Sequence, residues 1–366
     1  MKSKVRYQYR YNPLNEPILI TEQVWPEGTL PLVHTRTLTY MHENYIRECI
    51  EGILMQKTTF PVRVLIHDDA STDKTAEIVC EYENMYPDLI KAYYQTDNSH
   101  SQKNPDVKKR MRAPFNEMRI GKYEALCEGD DYWTDPLKLQ KQVSFLEAHP
   151  EFGLVHGDCH KYYHDEGRWQ YHVNKSKDNR TELANKEDLF YGIINFDYKL
   201  YTATILYRNE LLSKIGKNRK VFPMGDTPKW LEFSQITRFK YMDEVFAVYR
   251  VLKNSMSKST DKKKYFRFKL AMREMRIYYC RAIGYDVRPE LKKAYNKALL
   301  DYKQLDPALE PEYALIDPTS WHVWKFKRMR DPVFHFLFVI IDRIAVYLKK
   351  LLRKTGFAEK RKNCDG

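Results

Sequence analysis

Two adjacent carboxylates, Asp130 and Asp131, follow a glycine in the run Cys127-Glu128-Gly129-Asp130-Asp131-Tyr132-Trp133. Neighbouring carboxylates repel each other and pack poorly. They make sense where a hard cation lies between them and an anionic ligand. A Mg2+- or Mn2+-bound diphosphate is the candidate. A second acidic pair opens the run Asp68-Asp69-Ala70-Ser71-Thr72-Asp73-Lys74-Thr75. Ser71, Thr72 and Asp73 suit the start of a helix, but Asp68 and Asp69 side by side again ask for a ligand.

Such residues need elements that hold them in place, and the sequence supplies an alternation. Leu32 to Tyr40 reads as a strand. Asn44 to Gln56 reads as a helix, with Ile46, Ile50, Ile53 and Leu54 on one face. A second strand starts at Val62 and runs to Asp68-Asp69, followed by a helix over 73–86 and a third strand over 89–95. Residues 96–119 are polar and basic and read as a long loop, placed as a lid. A strand over 122–128 follows, then a helix with Asp135 as N-cap and Pro136 at N1. Beyond it, 152–156 and 201–207 read as strands, 226–235 as a short helix, 239–250 as a hairpin and 262–305 as helical and basic. The alternation predicts a mixed, mainly parallel α/β sheet, with ligands at the carboxyl ends of the strands. Tyr40, Asp69, Asp130 and Asp131 all fall at such ends.

Taken together, Thr39-Tyr40, D-D-A-S-T-D-K-T at 68–75, E-G-D-D-Y-W-T-D-P-L-K-L-Q-K-Q at 128–142, G-D-T at 225–227 and F-K-Y-M-D-E-V-F-A-V-Y-R at 239–250 resemble the family 2 glycosyltransferases of the bacterial surface-polysaccharide type. The resemblance covers about residues 31–260. It implies an A-type glycosyltransferase fold, a nucleotide-sugar donor, Mn2+ or Mg2+, and inversion at the anomeric carbon. Thr39 and Tyr40 would flank the nucleobase, Asp69 would accept from it, and Asp130 would reach the ribose or the metal. Asp131 would bind the metal, and Asp226 would be the general base. The chemistry agrees. A departing diphosphate needs a cation, and a weakly acidic acceptor hydroxyl needs a carboxylate within reach.

Plainer readings stand beside these roles. Asp226 could cap a helix starting at Thr227. Trp133 and Trp230 could stack on a sugar or acceptor, or pack in the core. Glu128 could be an outer metal ligand. Arg110 and Arg112 could clamp a diphosphate or form a solvated charge run. His156, Asp158 and His160 have a metal-like spacing that strand alternation also explains. Two features depart from the family pattern. Leu252 stands where relatives carry a histidine, and the first strand holds His34, Thr35 and Arg36 where relatives are more apolar.

Composition bounds the rest. The 366 residues divide into an extension over 1–30, a catalytic domain over 31–260 and a basic helical region over 261–366. Net charge is +13, and residues 262–366 carry all of it, with 25 basic against 12 acidic residues. That argues against nucleic acid along the core and for a basic appendage on an anionic surface. The six cysteines show no C-x-x-C pair and read as reduced thiols in a cytoplasmic protein. No apolar leader stretch and no spanning segment is legible. Residues 333–354 form an amphipathic pattern. With Trp321, Trp324 and the basic run 325–330, it suggests peripheral binding to the inner face of a cell membrane; core or dimer packing is the alternative. The reading that follows is an inverting, metal-dependent glycosyltransferase taking a UDP-sugar to a glycan or lipid-linked acceptor. A non-catalytic membrane or glycan adaptor is the alternative, and a nucleotidyltransferase ranks last for want of a Gly-rich triphosphate loop. If the tail is a membrane anchor, truncation near residue 320 should abolish flotation with anionic liposomes; unchanged flotation would refute the anchor.

Overall fold

The computed structural model describes residues 32–102, 104–175, 185–216, 220, 222–253 and 261–308. The N-terminal extension and the tail, including Trp321, Trp324 and 333–354, lie outside the described residues. The chain divides at Asp286 into two compact units. The first holds β1 (Val33–Thr39), α1 (Ile46–Leu54), β2 (Val62–Asp68), α2 (Thr75–Met85), β3 (Ile90–Tyr94), α3 (Pro105–Glu117) and β4 (Tyr123–Leu126). It continues with β5 (Tyr132–Trp133), α4 (Lys138–Ala148), β6 (Phe152–Tyr163), β7 (Arg168–Gln170), α5 (Lys186–Asn195), β8 (Leu206–Arg208), α6 (Asp226–Ile236), β9 (Arg238–Val251) and α7 (Lys262–Ile283). The second unit contributes α8 (Pro289–Lys303). Helix α7 therefore goes with the sheet, although the sequence reading puts a boundary at 260.

Among the described residues, nine strands form one sheet in the order β3-β2-β1-β4-β8-β6-β9-β5, with β7 paired to β6. β3, β2, β1 and β4 run parallel, and β8 is antiparallel to both β4 and β6. Val64, Leu65 and Ile66 of β2 are buried on both faces, as an interior parallel strand requires. Ile46, Cys49, Ile50 and Ile53 line the buried stripe of α1. Gly52 lets that helix approach β5, since a Cβ there would sit 2.9 Å from the backbone N and O of Trp133. The expected βα alternation is present from β1 to β4.

Three expectations change. Residues 105–117 form a helix where a loop was expected. Asn104 caps it by accepting from the Asp106 and Val107 amides, and Pro105 stands at its start. Its polar, basic composition has no long apolar stripe to betray it. The expected hairpin over 239–250 is one continuous strand, β9, parallel to β6. Asp243 and Glu244 are absorbed as an irregularity between Met242, opposite Gly157, and Val245, opposite Asp158. Helix α4 starts at Lys138, because the Asp135 carboxylate accepts from the Leu137 amide in a turn just before it.

The polar first strand has a physical explanation. The β1–β4 register sets His34 beside Glu124. Glu124 is fully buried and accepts from His34 Nε2 at 2.7 Å, Arg119 Nε at 2.6 Å, Arg119 Nη2 at 3.0 Å and the Tyr207 hydroxyl. The Gly121 amide donates to His34 Nδ1 at 3.0 Å, which leaves Nε2 as the protonated nitrogen. Arg36 Nε lies 3.4 Å from Glu124. Burial alone would raise the Glu124 pKa, but His34, Arg119 and Arg36 outweigh it and hold the group well below the ordinary carboxylate range. Its stabilising contribution is present above the unfolded pKa and lost as pH falls through the folded value. Glu124→Ala strands two buried guanidinium groups, so urea unfolding at pH 7 should show a loss of about 3–5 kcal/mol.

Candidate active site

The segment after β4 is shaped by close backbone approach. The Gly129 amide donates to Leu38 O at 2.9 Å, and a Cβ at Gly129 would meet Thr39 Oγ1 at 2.7 Å and His42 Nδ1 at 2.8 Å. No larger residue fits without displacing the end of β1. Arg250, near the end of β9, then fixes the acidic pair. Its amide donates to Asp131 Oδ1 at 2.8 Å, and its Nη1 donates to the Asp130 carbonyl at 2.8 Å. The same guanidinium pairs with Glu48 and lies over the rings of Tyr45 and Tyr132.

The two aspartates consequently differ. Asp131 is 2% exposed, with one oxygen taken by the Arg250 amide. Burial, and then Asp130 beside it, raise its pKa well above the ordinary value. Oδ1 of Asp131 is therefore turned to the Arg250 amide, and little of the group is open to solvent. Asp130 and Glu128 are half-buried. Glu128 is pushed up to about 7 by burial, against the pull of Arg36, with Asp226 and Asp130 adding to the rise. Three carboxylates, Glu128, Asp130 and Asp226, thus share one electrostatic neighbourhood. A divalent cation bound there would relieve that crowding, so the donor set fits one. Among the described residues no group of three or more His, Cys, Asp or Glu side chains is already gathered for a metal.

Asp226 opens α6 at its first turn, makes no side-chain cap bond, and accepts from Thr202 Oγ1 at 3.2 Å. The capping alternative therefore fails for this residue. One turn later Lys229 lies on the same helix face. Burial, and then Arg36, lower its pKa to about 8. Arg36 reaches from β1 to within 3.8 Å of Glu128. Burial would lower the Arg36 pKa, but Glu128 and Glu124 hold it raised, so it stays charged. In the sequence Arg36 stands out only as a polar residue in the first strand, and Lys229 carries no motif. The signal available for Lys229 was its spacing of three from Asp226 within a helix.

The second acidic pair is neutralised by amides. Asp68 accepts from the Ser71 amide at 3.0 Å and from the Ser71 hydroxyl. Asp69 accepts from the Ser99 amide at 2.8 Å and the His100 amide at 2.9 Å. Burial opposes the charge on Asp69, but these donors lower its pKa. These donors meet part of the repulsion; the Asp68 pKa remains raised, by burial first and then by Asp73 and Asp69, against the pull of Ser71. Asp69 fastens the 96–102 segment to the sheet, and the Arg112 Nε donates to Ser99 Oγ at 2.8 Å in the same place. Thr39 is buried and contacts His42, while Tyr40 is 46% exposed at the strand end. Met41 and Ala70 just beyond both strands take positive φ angles of 58° and 64°. Non-glycine residues in that region cost energy and cluster at functional turns.

Other candidates are structural. Trp133 and Trp230 are 1% and 2% exposed, and Trp133 Nε1 donates to Ala203 O at 2.8 Å. Neither presents a face for a sugar. His156 is fully buried, in hydrogen-bond contact with Tyr198, and burial lowers its pKa to about 3. Asp158 accepts from Cys159 and Asn174 amides and contacts His172 Nδ1 at 2.8 Å. Arg110 is exposed. A wide bowl of about 790 Å3 opens at the other end of β4, near Lys122 and Pro150. Its cations are already engaged, Lys122 by Glu147 and Arg208 by the Phe152 carbonyl, so it does not compete with the carboxylate cluster as a site.

Residues 37–209 match the model of Glycosyl transferase family 2. The sheet order, with its parallel half and the acidic segment after β4, is the A-type glycosyltransferase architecture. The uncharacterized protein Rv1520 of Mycobacterium tuberculosis is 45% identical over 129 residues, which are 35% of this chain and 35% of that protein. The match thus takes in about a third of that relative's length. The uncharacterized glycosyltransferase alr2836 of Nostoc sp. is 24% identical over 337 residues, 87% of this chain and 92% of that one. A solved structure of S. aureus TarS 1-349 in complex with UDP-GlcNAc superposes with a TM-score of 0.48 at 18% identity, covering 74% of this chain and 72% of that one.

The crowded carboxylates make a direct prediction. Glu128 titrates near 7 folded and near the ordinary 4.5 unfolded, so its charge destabilises the fold above that window. Glu128→Gln should melt higher than the parent at pH 8. The advantage should shrink as pH falls through about 7 and vanish below the ordinary carboxylate range. A pH series of melting curves showing no such trend would refute the crowding.

Proposed function

We propose that the protein is an inverting glycosyltransferase that moves a sugar from a UDP-sugar to a hydroxyl of a glycan or lipid-linked acceptor, at the cytoplasmic face of a membrane, in surface polysaccharide assembly. The observation that carries this reading is the acidic segment after β4, where Glu128 and Asp130 sit within a stretch that matches family 2, with Asp226 of α6 within electrostatic range of Glu128. Tyr40 offers an exposed ring to the nucleobase, with Thr39 beneath it. Asp69 accepts from the base with its remaining lone pairs and holds the 96–102 segment over it. Asp130 and Glu128 would hold Mn2+ or Mg2+, with Asp131 bracing them through Arg250. The cation would supply positive charge against the departing diphosphate. Asp226 takes the proton from the acceptor hydroxyl. That oxygen bonds to the anomeric carbon as the bond from carbon to the phosphate oxygen breaks, and UDP leaves from the opposite face. Thr202 orients Asp226 for this role. Leu252 provides no ligand, so the acidic groups carry the cation.

The base assignment is open to test. Asp226→Asn should lower UDP release from a turned-over UDP-sugar by about a hundredfold or more. UDP with Mn2+ should still raise its melting temperature as it does for the parent. Undiminished turnover would remove Asp226 from the mechanism.

A further inference from the structure

The floor of the site contains cations that the catalytic reading does not use. Lys229 is 9% exposed, and its ammonium makes no hydrogen bond or ion pair among the described residues. Its contacts are the faces of Trp230 at 4.3 Å and Tyr207 at 5.0 Å. Those rings offset part of the burial but accept none of its three N–H donors conventionally. Arg36 lies beside it, within electrostatic range. The Arg36 Nε is buried without a hydrogen-bond partner, and its Nη2 stands 3.8 Å from Glu128, beyond a hydrogen bond. Glu124 and Glu128 offset the Arg36 charge from 3.4 and 3.8 Å, but the Lys229 ammonium has no anion at ion-pair distance among the described residues, and a largely buried cation so placed favours an anionic ligand. Glu124 does not fill that need for Lys229, because His34, Arg119 and Tyr207 already occupy its oxygens.

We propose that Arg36 and Lys229 form a subsite for an acidic group on the transferred sugar, so that the donor is a nucleotide-linked uronic acid or a similarly carboxylated sugar. The inference rests on the glycosyltransferase reading above and names its substrate class. The placement selects the donor sugar. Arg36 stands 3.8 Å from Glu128, which is two residues from Asp130, and Lys229 follows Asp226 by three residues in α6. One cation is thus beside the carboxylate assigned to the diphosphate side and the other one turn from the base assigned to the acceptor, the two groups that the transferred sugar must bridge. A carboxylate there could accept from the lysine ammonium and from the free guanidinium edge together. An acidic group on the acceptor shares this chemistry and is separated from it by experiment.

Isothermal titration of the full chain with UDP-glucuronate and with UDP-glucose, each with Mn2+, tests the proposal. UDP-glucuronate should bind at least tenfold more tightly. The ratio should fall to about one in Lys229→Met, and likewise in Arg36→Lys, which keeps a charge but loses the planar fork. Equal affinities in the parent, with UDP itself binding, would overturn the subsite alone, and this outcome does not depend on any variant folding. A preference that survives in both variants would also overturn it. Binding of methyl glucuronide to the UDP-loaded protein, lost in Lys229→Met and without any donor preference, would move the acidic group to the acceptor and refute the donor assignment. Failure of UDP and both sugars to bind would instead overturn the parent reading.

Discussion

The site depends on how β1 and β4 share charge across their parallel register. Glu124 would be untenable alone in the sheet, and its partners come from His34 and Arg36 of β1, from Tyr207 of β8 and from Arg119 just before β4. Arg36 then joins this buried anion to Glu128, one strand-end away. Few residues of the first strand remain apolar as a result. Cooperative networks of this kind hold their members in one arrangement, because removing any partner leaves a buried charge uncompensated. The carboxylates that face solvent inherit their positions from it.

A second constraint comes from Arg250. It belongs to β9, yet it fixes the backbone of the segment after β4 by its own amide and by its guanidinium. The distant strand thereby decides which of two adjacent aspartates turns inward. Asp131 becomes an internal brace and Asp130 remains at the mouth with Glu128. This division of labour is invisible in a pair of identical letters.

That contrast shows what the sequence carried and what it did not. The alternation from β1 to β4 was legible because the apolar periods of α1 and β2 are strong. The acidic pairs were legible as oddities, and their order along the chain pointed to a family. Helix α3 was missed because Lys108, Lys109, Arg110 and Arg112 leave it no continuous apolar stripe, and its evidence was the Asn104-Pro105 start. Strand β9 has the sequence of a hairpin because Asp243-Glu244 looks like a turn, and only pairing with β6 shows that the strand absorbs them. The amides of Ser71, Ser99 and His100 that donate to Asp68 and Asp69 are not visible in side-chain spacing. Trp133 and Trp230 illustrate the reverse error, in which an aromatic near a motif is taken for a contact when the core needs its volume.

The central claim is that Glu128 and Asp130 form a donor site completed by a divalent cation. The most direct measurement is a calorimetric titration of UDP into the parent protein with Mn2+ and again with EDTA. The account predicts saturable binding with Mn2+ that weakens by at least tenfold without it, about 1.4 kcal/mol. Equal binding under both conditions, or none in either, would contradict it.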